Sequence, residues 1–170
     1  MDETGENQVP RPWVHWAVGA VCAIAVSGIG GALTHIGPWY YGLTKPAFQP
    51  PDWLFGPAWA VLYALNAVAG WLVWREAGLA GAGRELGLYA GSLVLNAGWS
   101  GVFFGLRRPD LAFGELILLW LSIAATIAAF APLQSTAAWM LAPYLAWVTF
   151  AGALNFAIWR LNRARTLLRE

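Results

Sequence analysis

The side chains best placed for chemistry in this sequence fall on three helical faces. Trp59, Tyr63, Asn66 and Gly70 follow steps of four, three and four, which stacks them on one side of a helix. Tyr89, Ser92, Asn96, Trp99 and Phe103 share a second face, and Tyr144, Trp147, Ala151 and Asn155 a third. Each face combines indole or phenol rings with a carboxamide. An Asn turned to lipid is costly, so these faces look inward. Together they predict an apolar pocket with a few polar groups, suited to a flat, largely apolar ligand. Each aromatic contact adds about 0.5–1.5 kcal/mol beyond burial. The competing reading puts tryptophans in interfacial belts. That suits Trp13, Trp16, Trp53, Trp71, Trp74 and Trp159, near span ends, and suits Trp147, nearer mid-span, poorly.

Conventional catalysis finds no residues to use. There is no Ser-His-Asp arrangement, phosphate loop or metal-ligand cluster, and no row of intramembrane charges of the kind proton-driven transporters use. Glu115 is the one acid well inside a span. It is a candidate site, or an acid placed near a helix start for the dipole. His15 and His35 flank the first span without a second ligand in register for a haem iron. The single cysteine, Cys22, excludes an intramolecular disulfide and reads as packing.

These residues need elements to carry them. Of 170 residues, 59% are hydrophobic and 11% charged; soluble domains carry roughly 25% charged residues. Mean hydropathy is +0.54. The composition is that of an integral, multi-pass membrane protein, and the net charge of +1 gives no footing for nucleic acid. Five segments reach the ~20 apolar residues that cross a bilayer: Trp13–Leu33, Trp53–Trp74, Leu86–Leu106, Leu111–Ala131 and Ala137–Trp159. The fold expected is all-α, a five-transmembrane-helix bundle over 13–160. A disordered tail over 1–12 precedes it and a basic tail over 161–170 follows. Arg11, Arg75 and Arg84 fall on one side of the membrane and the rest of the ten Lys and Arg on the other. The positive-inside rule then places the C-terminus in the cytoplasm.

Two further features serve the faces. From Trp39 to Tyr63 the chain reads WYYGLTKPAFQPPDWLFGPAWAVLY. Lys45-Pro46 and Pro50-Pro51 forbid a continuous helix there, so a stiff aromatic loop lands on a helix beginning near Asp52 to Phe55. Gly83, Gly87 and Gly91 repeat at four, about half a turn out of phase with Asn96. They pack against another helix, either within the monomer or across a homodimer.

The stretch W-Y-x-x-L-x-K-P-x-x-x-x-P-P-x-W-x-x-G-P-x-W-x-x-L-Y resembles the TspO/MBR family, the tryptophan-rich sensory and translocator proteins. L-N-x-x-W-x-x-x-F-F-G at Leu95–Gly105 and P-Y-L-A-W-x-x-F-A-x-x-L-N at Pro143–Asn155 extend the likeness over most of the chain. The resemblance implies a five-helix bundle, often a homodimer, that binds protoporphyrin IX and haem as ligands, and benzodiazepine and isoquinoline-carboxamide compounds. By position it implies ligand contacts at Tyr40, Pro50, Pro51, Trp59, Tyr63, Asn96, Trp99, Trp147, Ala151 and Leu154. It also implies light-driven porphyrin breakdown in some bacterial members, with Trp59 and Trp147 as the catalytic positions. No bound metal is implied. Two departures set it apart from animal members: Phe156 stands where their sterol motif needs Tyr between Leu154 and Arg160, and Leu111 where they carry Trp. The expectation is a bacterial receptor or carrier for porphyrins in transport or stress sensing. A porphyrin-degrading enzyme and a lipid- or sterol-interacting scaffold are the alternatives.

Overall fold

The computed structural model describes Thr34 and residues 36–167. The expected N-terminal tail and the first span, with His15, Cys22 and His35, lie outside the described residues. Within them every regular element is helical. A short helix α1 (Pro38–Tyr41) is followed by a 3₁₀ turn at Asp52–Leu54. Then come α2 (Phe55–Ser100), continued by a π-helical turn at Gly101–Gly105, α3 (Pro109–Phe130) and α4 (Ser135–Leu167). Three helical stretches are long and apolar enough to cross a membrane: Asp52–Gly105, Pro109–Phe130 and Ser135–Arg163.

The second and third expected spans are the two arms of α2, two helices joined across a kink at Gly78 and Ala82, inside the expected polar break over 75–85. They form one helical run that bends sharply. Straight, its 46 residues would extend ~70 Å at ~1.5 Å per residue, over twice a bilayer's ~30 Å hydrocarbon core. Two residues depart from helical geometry: Gly78 at φ 61°, ψ −178° and Ala82 at φ −130°, ψ 24°. Gly78 occupies a region that a Cβ disfavours. The run folds back there, because residues far apart in sequence meet across it. Tyr63 Oη donates to Asn96 Oδ1 at 2.9 Å, and Tyr89 Oη donates to the Asn66 carbonyl at 2.8 Å. The outgoing arm (55–77) and the return arm (83–100) approach so closely that a Cβ on Gly70 would lie 2.8 Å from the Tyr89 ring. Arg75, Glu76 and Arg84 stay exposed around the bend, and the Arg75 guanidinium covers the Trp71 ring at 4.5 Å.

The return arm ends in the π turn, where the Leu106 N–H donates to the Gly101 carbonyl at 2.9 Å. Arg107, at φ 56°, reverses the chain, and Pro109 starts α3 with its missing donor at a position where none is needed. Arg108 forks onto Asp110 at 3.0 and 2.7 Å. α4 contains Pro143 and runs on to Leu167, through most of the expected tail.

The core is layered along the bundle. Ala69, Val73, Phe130 and Leu141 fill the end nearest the bend. Leu62, Leu119, Ile123 and Tyr144 form the middle. Tyr40, Phe103, Ala112 and Ile158 close the loop end. Trp53 and Trp139 stand outside at 71% and 77% exposure, as membrane-belt residues do.

Replacing Gly78 with Val should destabilise the fold by about 1–2 kcal/mol, because a β-branched residue at positive φ is strained. Thermal unfolding in detergent measures it. A loss no larger than that for Gly114→Val, at a helical position where a Cβ would meet nothing within 4 Å among the described residues, would show that the bend does not depend on the glycine.

Candidate functional site

Between the middle and loop-end layers lies a cavity of about 520 Å³. The outgoing arm lends Phe55, Trp59 and Tyr63. The return arm and π turn lend Asn96, Trp99, Phe103 and Phe104. α4 supplies Trp147, Ala151, Leu154 and Asn155, and α3 supplies Leu116 and Leu119. Each set follows from helical spacing. The outgoing arm steps by four, while 147, 151 and 154 take steps of four and three.

The rings are ordered against one another. Trp59 stacks on Tyr63 with centroids 5.3 Å apart and planes 25° apart. It meets Trp147 edge-on at 6.4 Å, and Phe55 meets Trp147 edge-on at 5.9 Å. Across the cavity Trp99 stacks on Phe103 at 5.0 Å. The polar atoms of the wall bond mainly to each other: Tyr63 to Asn96, and the Trp99 indole N–H to Asn155 Oδ1 at 3.2 Å. A ligand inside would meet ring faces and aliphatic groups.

The mouth is different. Tyr40, Asp52, Thr34 and Ile36 line it. Tyr40 Oη donates to Asp52 Oδ1 at 3.3 Å, and Gln49 Nε2 donates to both, at 3.2 and 3.3 Å. Lys45 lies 4.0 Å from the Asp52 carboxylate and 3.8 Å above the Tyr40 ring. Burial, with the Asp52 charge adding to it, pushes the Tyr40 phenol up to about 12.

Eight of the residues expected to contact a ligand line this cavity: Tyr40, Trp59, Tyr63, Asn96, Trp99, Trp147, Ala151 and Leu154. Pro50 and Pro51 do not. Their place is behind the mouth, where the Pro51 carbonyl accepts from the Leu54 N–H at 3.0 Å and so fixes the turn that delivers Asp52. Glu115 is also outside the lining. Its carboxylate packs onto the return arm where a Cβ on Gly98 would lie 2.6 Å from Oε1, and its Oε2 has no hydrogen-bond partner. Phe55 was legible as the residue four before Trp59. Phe104 was not, because only the π turn brings it and Phe103 onto the same wall. Leu116 and Leu119 carry no signal that separates a cavity wall from a packed core.

These features define a class: an all-helical membrane protein whose apolar, aromatic cavity is capped by a loop. The comparisons carry this further. The TspO/MBR family model matches residues 17–160, and the chain belongs to that family. It is 38% identical over 161 residues to the translocator protein of Sus scrofa, covering 91% of this chain and 94% of that one. It is 41% identical over 144 residues to Protein CrtK of Rhodobacter capsulatus, covering 82% and 88%. With the tryptophan-rich sensory protein of Cereibacter sphaeroides it shares 42% identity over 132 residues, covering 78% and 82%.

The Tyr40 phenol should titrate at about 12. The unfolded phenol ionises at about 10, so the unfolded state loses its proton first, and stability falls as pH rises from about 10 to 12. The difference between wild type and Tyr40→Phe at 295 nm reads this directly. A midpoint near 10 would mean the mouth is open and wet.

Proposed function

We propose that the protein is a membrane receptor or carrier for porphyrins, with protoporphyrin IX or haem as the ligand, acting in tetrapyrrole transport or stress sensing. The observation that carries this reading is the cavity itself: about 520 Å³, within the ~300–1,000 Å³ of small-molecule sites, and walled by ring faces that suit a flat macrocycle. Family membership supports it. So do the names of relatives that join tryptophan richness to sensing. The complete fold in this reading is a five-helix bundle, with residues 13–33 as the first crossing and the two arms of α2 as the second and third. The C-terminus lies in the cytoplasm of a bacterial cell.

Titrating the purified protein with protoporphyrin IX should quench tryptophan fluorescence to saturation. Trp59→Ala and Trp147→Ala should each weaken binding about tenfold or more, as loss of an aromatic contact plus its burial predicts. Unsaturable quenching, or affinities unchanged in both well-folded variants, would overturn the reading. If both variants lose stability but keep affinity, the aromatics serve a lipid-facing scaffold instead.

One observation favours a second activity at the same cavity. Trp59 and Trp147 both face it, with centroids 6.4 Å apart. A porphyrin excited by light there, with dioxygen as oxidant, has two indoles within reach. Illuminating the complex tests this. A new product absorbance and mass, lost in the Trp59→Phe/Trp147→Phe double variant, supports photo-oxidation; equal turnover in that variant removes the two tryptophans from the chemistry.

Homodimerisation belongs to the same proposal. Gly83, Gly87 and Gly91 are exposed, and a Cβ on any of them would meet nothing within 4 Å among the described residues. That leaves the stripe open for a second subunit, on the side of the return arm away from Asn96. Gly87→Leu/Gly91→Leu should convert a cross-linkable dimer in bilayers to monomer while porphyrin binding persists. An undiminished dimer would exclude this face as the interface.

A further inference from the structure

The loop between α1 and the 3₁₀ turn packs Leu43 on the loop-end core and Phe48 on Phe150 of α4, with centroids 6.4 Å apart, and its polar side-chain ties among the described residues fall at two places. The inner place is the mouth of the cavity, where Lys45, Gln49, Tyr40 and Asp52 meet. Its contacts are long, from 3.2 to 4.0 Å. The outer place is one side chain, Asn162, near the end of α4. Its Oδ1 accepts from the Thr44 N–H at 2.9 Å, and its Nδ2 donates to the Thr44 carbonyl at 2.9 Å. The same Nδ2 donates back to the Ile158 carbonyl, one turn earlier, at 2.8 Å.

This is a main-chain grip. The carboxamide reads both the donor and the acceptor of Thr44, as a neighbouring strand would, so it holds the chain whatever side chain stands at 44. The Thr44 side of the contact belongs to an exposed residue, whereas Asn162 is 3% exposed. Its bond back to Ile158 sets the orientation of the amide before the loop arrives. Asn162 does not line the cavity, but Ile158 and Leu154 on the same helix do. The loop is therefore anchored to the wall it covers. Of its polar ties, those to Asn162 are the shortest, and short bonds contribute more than long ones.

We infer that Asn162 is the latch of the cavity: a positioning residue that touches no ligand and sets how often the mouth opens. Breaking its grip leaves the longer inner contacts and the packing of Leu43 and Phe48 to hold the loop. Losing two hydrogen bonds should raise the opening rate about tenfold. As a statement about ligand entry the inference rests on the cavity being the ligand site; as a statement about access to the cavity it does not.

The test uses the full chain in lipid nanodiscs with Cys22→Ser and Ala151→Cys, so that a single thiol stands on the cavity wall. Its rate of labelling by a water-soluble maleimide reports opening without any ligand. Asn162→Ala should speed labelling about tenfold and accelerate hydrogen exchange at the Thr44 amide. Thr44→Pro removes the same donor from the loop side and leaves α4 untouched, so it should also speed labelling, even if Asn162→Ala folds poorly. Arg163→Ala, at the exposed next residue, should change neither. A labelling rate unchanged in both Asn162→Ala and Thr44→Pro would overturn the latch. With protoporphyrin IX, association and dissociation should both quicken while the equilibrium affinity stays within about twofold, a split that a merely structural role would not produce. Should the wild-type protein fail to bind porphyrin, the ligand assignment falls, and the labelling arm still decides the latch.

Discussion

Asn155 joins three helices at the level of the cavity. It sits on α4 at 2% exposure, accepts the Trp99 indole N–H of the return arm, and donates to the carbonyl of Pro109, the first residue of α3, at 2.7 Å. Within a bilayer an unpaired polar group costs several kcal/mol, because no water is at hand to take its place. An arrangement that leaves any of these three groups unpaired is therefore heavily disfavoured. Association of apolar surfaces cannot supply that selectivity, since lipid tails solvate leucines as well as other leucines do. The bond fixes the rotation of Trp99, and Trp99 in turn stacks Phe103 against the short helix α1 through Trp39 at 5.7 Å. Through this chain of contacts one carboxamide orients one wall of the cavity and part of the loop that caps it.

The same logic runs between the arms of α2. The Tyr63–Asn96 and Tyr89–Asn66 bonds face inward and pair the outgoing with the return arm. Close approach at Gly70 brings their backbones near enough for these bonds to form. Bend, contact and polar pairing are mutually dependent. Gly78 permits the reversal, Gly70 permits the approach, and the hydrogen bonds select one register out of those that apolar packing alone would tolerate.

What the sequence made legible was whatever depends on helical period. Trp59, Tyr63, Asn96, Trp99, Trp147 and Ala151 line the cavity because a spacing of three or four residues keeps side chains on one face whatever the tertiary detail. The class of fold was legible from composition. What was not legible depends on local departures from that period. The polar stretch over 75–85 reads as the break between two spans and the break does fall inside it, but nothing in the sequence shows that it narrows to the kink at Gly78 and Ala82. The π turn at Gly101–Gly105 inserts a residue that no periodicity announces and swings Phe104 toward α1, where it meets Tyr40 at 5.6 Å. Pro50 and Pro51 were legible as rigid but not as set back from the lining. Asn162, among arginines, reads as part of a surface tail; only a partner 118 residues away gives it a role.

The cavity separates two kinds of recognition. Inside, the wall's hydrogen-bonding groups are largely occupied by each other, and among the described residues the buried atoms without a hydrogen-bond partner, Gln49 Oε1, Asn66 Oδ1, Glu115 Oε2 and Tyr144 Oη among them, belong to residues outside the lining. An enclosed ligand is therefore selected by shape and flatness, which discriminate weakly; strong discrimination needs buried polar groups that a wrong ligand would leave unpaired. Such a site accepts a range of flat apolar molecules. The mouth works differently. Among the described residues Asp52 is the only carboxylate in the lining, and Lys45 balances it from above the Tyr40 ring. A ligand with a flat apolar body and charged edge groups would place the body among the indoles and the edge at this pair, where its charge stays near water. It would then compete for the contacts that hold the loop down, so entry, orientation and closure draw on the same few residues.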